Sequence, residues 1–286
     1  MRPATQNLWT GPYTDMDKSF DLNGKAVLIT GAASGIGRQL AHQLAYKNAS
    51  LILCDISEPG LRETISMLPE GRVLASEIVD VGDAAALSAF AKRLMTDQRR
   101  IDVLINNAGV AIAGSFDGMS LDDFEWLMNI NFWATVRLTK ALLPHLKSQP
   151  IAQIVNLSSL FGLIAPPGQT AYCASKFAVR GFSESLRLEL ADTNVAVTQV
   201  HPGGIATNIA NSARGTTEFG DDELASNKQR MNTFLTMPPE RAACLIIRAI
   251  EKRQTRLLIG KDAKGGDLLQ RLFPNSYGQK ILRMMR

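Results

Sequence analysis

The segment Thr30-Gly31-Ala32-Ala33-Ser34-Gly35-Ile36-Gly37 leaves this chain little choice of fold. It directly follows the apolar run Ala26 to Ile29 and directly precedes the amphipathic stretch Arg38 to Tyr46, so a glycine-rich turn joins a buried strand to a helix. Glycines are required where backbone N–H groups at a helix N-terminus approach a phosphate, because any Cβ would hold the backbone away. The same alternation continues, with strand candidates near 25–30, 50–54, 73–79, 101–105, 151–158, 195–200 and 256–260 separated by helical stretches. This predicts an α/β fold of the Rossmann type, doubly wound, with a mainly parallel sheet and helices on both faces. Ligands of such a fold lie at the carboxyl ends of the strands.

With 286 residues, 45% apolar and 20% charged, the chain can bury one large core. The expected organisation is an N-terminal arm over 1–20, one Rossmann-type domain over 21–267 and a tail over 268–286. Cys54, Cys173 and Cys244 have no paired spacing, which suits a reducing compartment, and Cys173 reads as a packed small residue. His42, His145 and His201 are dispersed, so no metal site is expected. No run approaches the roughly 18 apolar residues of a membrane span, and Met1 to Phe20 lacks the layout of a signal peptide. A cytoplasmic location is the expectation, and no motif points to nucleic acid.

Two placements of charged and polar residues carry chemistry. Asp55 ends the apolar run Leu51 to Cys54, eighteen residues beyond Gly37. An acidic residue near this offset accepts hydrogen bonds from an adenosine ribose and repels a 2′-phosphate, so NAD is favoured over NADP. Arg38, beside the glycine turn, is the counterweight, since a guanidinium there attracts a phosphate. Tyr172 and Lys176 stand four residues apart in a helical stretch and project from one face. A nearby ammonium favours the phenolate, so the pair is expected to move a proton near neutral pH. Ser159, just after the run Ile154 to Leu157, offers a hydroxyl to the same region.

Further pieces recur at strand ends: Asp80 and Val81, Asn106-Asn107-Ala108-Gly109, and Pro202-Gly203-Gly204-Ile205-Ala206-Thr207. With Asn131, and in this order and spacing from about residue 22 to 207, the set resembles the short-chain dehydrogenase/reductase family, in its single-domain branch. The resemblance implies an NAD(P)-dependent enzyme whose cofactor is held by Gly31, Ser34, Gly35, Ile36, Gly37, Asp55, Asp80, Val81, Asn107, Ala108, Gly109, Tyr172, Lys176, Pro202, Gly203, Ile205 and Thr207. In that family Asp80 touches the adenine, and the Pro-Gly backbone and the Thr hydroxyl hold the nicotinamide amide. The implied catalytic residues are Asn131, Ser159, Tyr172 and Lys176. Tyr172 exchanges a proton with the substrate oxygen, and Ser159 polarises it. Lys176 lowers the phenol pKa and binds the nicotinamide ribose, while Asn131 anchors a water that relays the proton.

The resemblance also implies that 208–237 forms a substrate lid. It implies a homodimer or homotetramer packed through the helical stretch Leu121 to Leu146, which carries Trp126, Phe132 and Trp133, and through the helix from Tyr172. The lining Leu160, Phe161, Leu163, Ile164, Pro166 and Pro167, with Phe219, Met231, Phe234, Leu235 and Met237 of the lid, is apolar and favours a hydrophobic alcohol or ketone as substrate. The alternatives are a 3-oxoacyl reductase acting on an acyl carrier and a cofactor-binding scaffold without activity; the intact catalytic set favours the enzyme. From Lys261, just ahead of the tail, to Arg286 at its end, six basic residues stand against Asp262 and Asp267, a surplus equal to the +4 of the whole chain. The tail's amphipathic pattern is read as packing on a neighbouring subunit, in preference to an anionic membrane.

Overall fold

The computed structural model describes residues 19–97, 99–217 and 221–285. Most of the expected N-terminal arm and Phe219 of the expected lid lie outside them. In chain order the elements are β1 (Ala26–Thr30), α1 (Gly35–Tyr46), β2 (Ser50–Asp55), α2 (Glu58–Ser66), β3 (Val73–Ile78), α3 (Ala84–Thr96), β4 (Val103–Asn106), β5 (Ile112–Ala113), α4 (Leu121–Met128), α5 (Ala134–Ser148), β6 (Ala152–Leu157), α6 (Thr170–Glu189), β7 (Val195–Pro202), β8 (Arg214–Gly215), α7 (Asp221–Asn232), α8 (Pro239–Glu251), β9 (Arg256–Ile259), α9 (Lys261–Leu272) and α10 (Tyr277–Met285).

Seven strands pair in parallel in the order β3-β2-β1-β4-β6-β7-β9. The central strands are buried along their whole length because both faces are covered, and their side chains divide between two cores with the period of two that a strand imposes. Val27, Ile29, Leu51, Leu53, Val103 and Ile105 face the core under α1 and α8. Leu28, Ile52, Cys54 and Leu104 face the opposite core under α3 and α5. Each such side chain contributes about 1.5–3 kcal/mol on burial, and together they fix the register that brings the strand ends level.

The order reverses at β1 and β4: β2 lies on one side of β1, while β4 starts the other half of the sheet. This switch opens a crevice at the strand ends. At the far end of the same strands, Ala26 N–H donates to the buried Asp102 carboxylate at 2.9 Å, and Arg100 neutralises that acid. The pairing of β1 with β4 is thereby fixed from below.

The helical stretch after Leu121 is not continuous. Between α4 and α5 the residues Asn129–Trp133 form a π-helical turn, with Ala134 N–H reaching back to Asn129 O. The expected tail is likewise two helices, α9 and α10, with a break over 273–276, and α9 begins before the boundary expected at residue 268. Phe20, placed in the arm by its sequence context, is buried, and its N–H donates to Glu251 O at 2.7 Å. Two short strands, β5 and β8, form a second parallel pair that joins the segment after β4 to the start of the expected lid. No helix among the described residues is long and apolar enough to cross a membrane.

Candidate active site

The turn after β1 is held by contacts that only glycine permits. Gly31 has φ +68°, and a Cβ there would lie 2.8 Å from Ala108 Cα; a Cβ on Gly37 would lie 2.0 Å from Gly31 O. Close approach of α1 to the turn therefore requires both glycines. Asn107 locks the arrangement: its Nδ2 donates to Thr30 O and Gly31 O, both at 2.9 Å, while Thr30 Oγ1 accepts from the N–H groups of Asn107 and Ala108. Ser34 precedes α1 but makes no side-chain cap bond, so the N–H groups of the first helical turn remain available to an anion.

Asp55 stands at the end of β2 and accepts from Ala33 N–H through Oδ2 and from Ser57 N–H through Oδ1, both at 2.9 Å. Each carboxylate oxygen has a second lone pair for a further donor. Arg38 does not stand free beside this acid. Its guanidinium donates to Ala33 O, Thr64 Oγ1 and Gly60 O, and it pairs with Glu63 at 2.7 Å. Asp80 accepts from Gly82 N–H at 2.8 Å and lies with Val81 along the same cavity wall.

That cavity has a volume of about 1520 Å³ and runs from the glycine turn past Asp55 and Asn107 to Ser159, Tyr172, Lys176, Thr207, Met231 and Phe234. Every residue expected to hold a cofactor lines it except Gly37, which sits behind the wall, packed on Gly31. Asn131 is also behind the wall and almost wholly buried. The uncapped helix N-terminus, the glycine contacts and the carboxylate with spare acceptor capacity make a cradle that fits a dinucleotide.

The residues Ser159, Tyr172 and Lys176 are brought together by bonds between β6 and α6. Lys176 Nζ donates to Leu157 O at 3.0 Å, Ser158 Oγ donates to Lys176 O at 2.9 Å, and Ser159 Oγ caps the short 3₁₀ turn Leu160–Gly162 by accepting from Phe161 N–H. The Lys176 ammonium lies 5.6 Å from the Tyr172 ring centroid, and Phe161 meets that ring edge to face at 6.1 Å. Asn131 joins this group to the π-turn: its Oδ1 accepts from Val110 N–H at 2.8 Å, and its Nδ2 donates to Val110 O and to Ser175 Oγ.

The proton equilibria of the group are set by burial. Burial pushes the Tyr172 phenol up to about 12, with the hydrogen bond to Ser159 pulling the other way. Burial also brings the Lys176 amine down to about 8. Loss of water disfavours charge on both groups and is the largest influence on each. Burial also raises the Cys173 thiol to about 12, consistent with a packed side chain.

The short chain dehydrogenase family model matches residues 25–218. This chain is a member of the short-chain dehydrogenase/reductase family. The SadH protein of Mycobacterium tuberculosis is 42% identical over 261 residues, covering 90% of this chain and 94% of SadH. The oxidoreductase UcpA of Escherichia coli K12 is 39% identical over 192 residues, covering 67% of this chain and 73% of UcpA. Among solved structures, a short chain dehydrogenase/reductase from Burkholderia phymatum in complex with NAD is 26% identical. It superposes with a TM-score of 0.80 over 89% of this chain and 95% of its own. As a family member this protein is an NAD(P)-dependent oxidoreductase.

Three features of this family member had no local signal in its sequence. Asp262, at the start of α9, sends its Oδ2 to Gly204 N–H at 2.6 Å, and a Cβ on Gly203 would collide with the same carboxylate. The Pro202–Thr207 turn is thus fixed by a residue 58 positions away. His201 is fully buried, with Nδ1 3.0 Å from Ser159 O and Nε2 3.3 Å from Gln199 Oε1; burial brings its pKa down to about 4. Ser159 O can only accept, so in the neutral ring Nδ1 carries the proton, and the bare Nε2 makes no hydrogen bond to Gln199 Oε1, which also only accepts. Arg214 lies over Trp126, its guanidinium carbon 3.5 Å from a ring centroid, and pairs with Asp123 at 2.9 Å. Paired doublets such as Gly203-Gly204 are the one hint in the sequence that another group approaches closely.

Proposed function

We propose that the protein interconverts a hydrophobic secondary alcohol and its ketone with NAD, with Tyr172 as the general acid and base. The observation that carries this reading is the convergence of Ser159, Tyr172 and Lys176 at one point of a cavity whose other walls are Leu160, Phe161, Ile164, Met231 and Phe234. A substrate oxygen placed between the Ser159 and Tyr172 hydroxyls is held by two donors, and an apolar body fills the remaining space. When bound, the nicotinamide supplies or takes the hydride. For ketone reduction the phenol must be protonated, and a pKa raised to about 12 keeps it so at neutral pH. The Lys176 ammonium then restores the phenol proton, and its own value of about 8 makes that proton mobile near neutrality. Asn131, bonded from the π-turn to Val110 and to Ser175 on α6, holds the relay path in register with Lys176.

The preference for NAD is supported by Arg38. This guanidinium, the one cation next to the glycine turn in sequence, is committed to Ala33, Gly60, Thr64 and Glu63. Arg38 lines the same cavity, but with its donors engaged it compensates only part of the repulsion between Asp55 and a 2′-phosphate, and a desolvated like-charge contact costs several kcal/mol. The expected result is a higher kcat/KM with NAD, and an Asp55→Ala variant in which that preference narrows or reverses. A wild-type enzyme that prefers NADP contradicts the reading. Exposed Trp133, Phe177 and Leu188, on the π-turn and α6, support a homo-oligomer formed through these helices. Turnover measured over steroids, aromatic alcohols, aliphatic 2-alkanols and acyl thioesters identifies the substrate class; activity confined to acyl thioesters would favour an acyl-carrier reductase instead.

A further inference from the structure

The C-terminal helices α9 and α10 present a surface that the oxidoreductase reading does not use. On α9 the exposed residues Lys264, Leu268, Arg271 and Leu272 recur at helical spacing, so they share one face, with Lys261 ahead of them at the cavity wall. Leu268 is 57% exposed and Leu272 63%, and the adjoining Phe273 is 41% exposed. Lys280 Nζ sits 4.0 Å over the Phe273 ring and ties α10 to this face, and α10 itself carries exposed Leu282 and Arg283. The two acids of the segment are committed to internal partners. Asp262 accepts from Gly204 N–H, and Asp267 is held by Arg256 and Arg271. Large apolar side chains interleaved with lysine and arginine are therefore what this face offers.

We infer that this face docks on an anionic phospholipid bilayer. The leucines and Phe273 would enter the headgroup region while the basic side chains meet lipid phosphates, as an amphipathic surface helix does. A second copy of the chain is the poorer partner: a two-fold contact sets identical patches against each other and would oppose cation to cation across apolar groups. Neighbouring Ile281, by contrast, turns inward and lines the large cavity. One short helix thus faces both the cavity and the proposed bilayer, so docking would set the apolar end of the cavity beside the lipid.

Co-sedimentation of the full chain with vesicles tests this independently of turnover. Vesicles of phosphatidylcholine with about a third phosphatidylglycerol should bind the protein at low salt, release it as salt screens the charges, and bind it far better than phosphatidylcholine alone. Leu272→Glu and Lys264→Glu should each weaken binding by about tenfold, with NADH affinity and molecular mass unchanged. Absence of binding to the anionic vesicles at low salt overturns the inference. It is also overturned if Leu272→Glu lowers the mass of the wild-type oligomer, which would make the face a subunit contact. Because vesicle binding needs no hydride transfer, its failure and that of the alcohol–ketone reading are separate results.

Discussion

Lys176 and Tyr172 stand close enough to share a proton path, yet burial draws each toward its neutral form, the amine to about 8 and the phenol to about 12. A lysine whose folded pKa is depressed binds its proton less readily than in the unfolded chain. Its charge therefore costs stability, on the order of a few kcal/mol, at every pH below about 8, and that cost disappears as pH rises toward 10.5. Lys176→Met should accordingly have a higher Tm than the wild type at pH 7. The difference should shrink by pH 10, while turnover and cofactor affinity both collapse. Calorimetry at the two pH values checks this, and a difference independent of pH would contradict it. His201 is the acid-side counterpart. Its folded value of about 4 against the usual 6.5 means that stability is fully present above about 6.5 and is lost as pH falls toward 4. His201→Asn, which retains an N–H for Ser159 O, should flatten that acid limb in a denaturant series; an unchanged limb would place the sensitivity elsewhere.

At the scale of elements, the glycine turn and α1 form a unit whose tolerance differs sharply from that of other helical glycines. A Cβ on Gly37 would lie 2.0 Å from a backbone carbonyl, so Gly37→Ala must push α1 off the turn. Gly265, inside α9, has nothing within 4 Å of the same added atom. The expected outcome is that Gly37→Ala loses NADH affinity and several kcal/mol of stability together, whereas Gly265→Ala gains roughly 1 kcal/mol from helix propensity. Thermal melts with and without NADH distinguish the two. Such elements were legible because their signals are local: apolar runs such as Leu51 to Cys54 are strands buried on both faces, and the glycines sit where close contact demands them. The π-turn at Asn129–Trp133 was not legible, since it depends on Asn131 bonding Val110, twenty-one residues away. The β5–β8 pair joins segments a hundred residues apart through two residues each. The pKa directions were hidden for a similar reason, because depth of burial is a property of the whole packed site.

The molecule as a whole couples its two halves through the turn that ends β7. Gly204 O accepts from the N–H groups of Thr236 and Met237, and Ala206 N–H donates to Met237 O, so the C-terminal end of the lid segment is stitched to the turn that carries Thr207. Thr207 in turn lies against the glycine loop, 3.0 Å from where a Cβ on Gly35 would be. The glycine turn and the wall at Met231 and Phe234 are thus one connected cavity surface around Tyr172. The most direct test of that arrangement is a single-turnover measurement of NADH oxidation by a series of 2-alkanones, made in parallel on wild type and Tyr172→Phe with NADH affinity determined for both. The wild type should transfer hydride to the longer ketones. Tyr172→Phe should bind NADH within about twofold of the wild type while its rate falls by about a hundredfold or more, the share that general acid–base catalysis supplies. Near-wild-type turnover in Tyr172→Phe, or a wild type that reduces no ketone with either NADH or NADPH, would contradict the account.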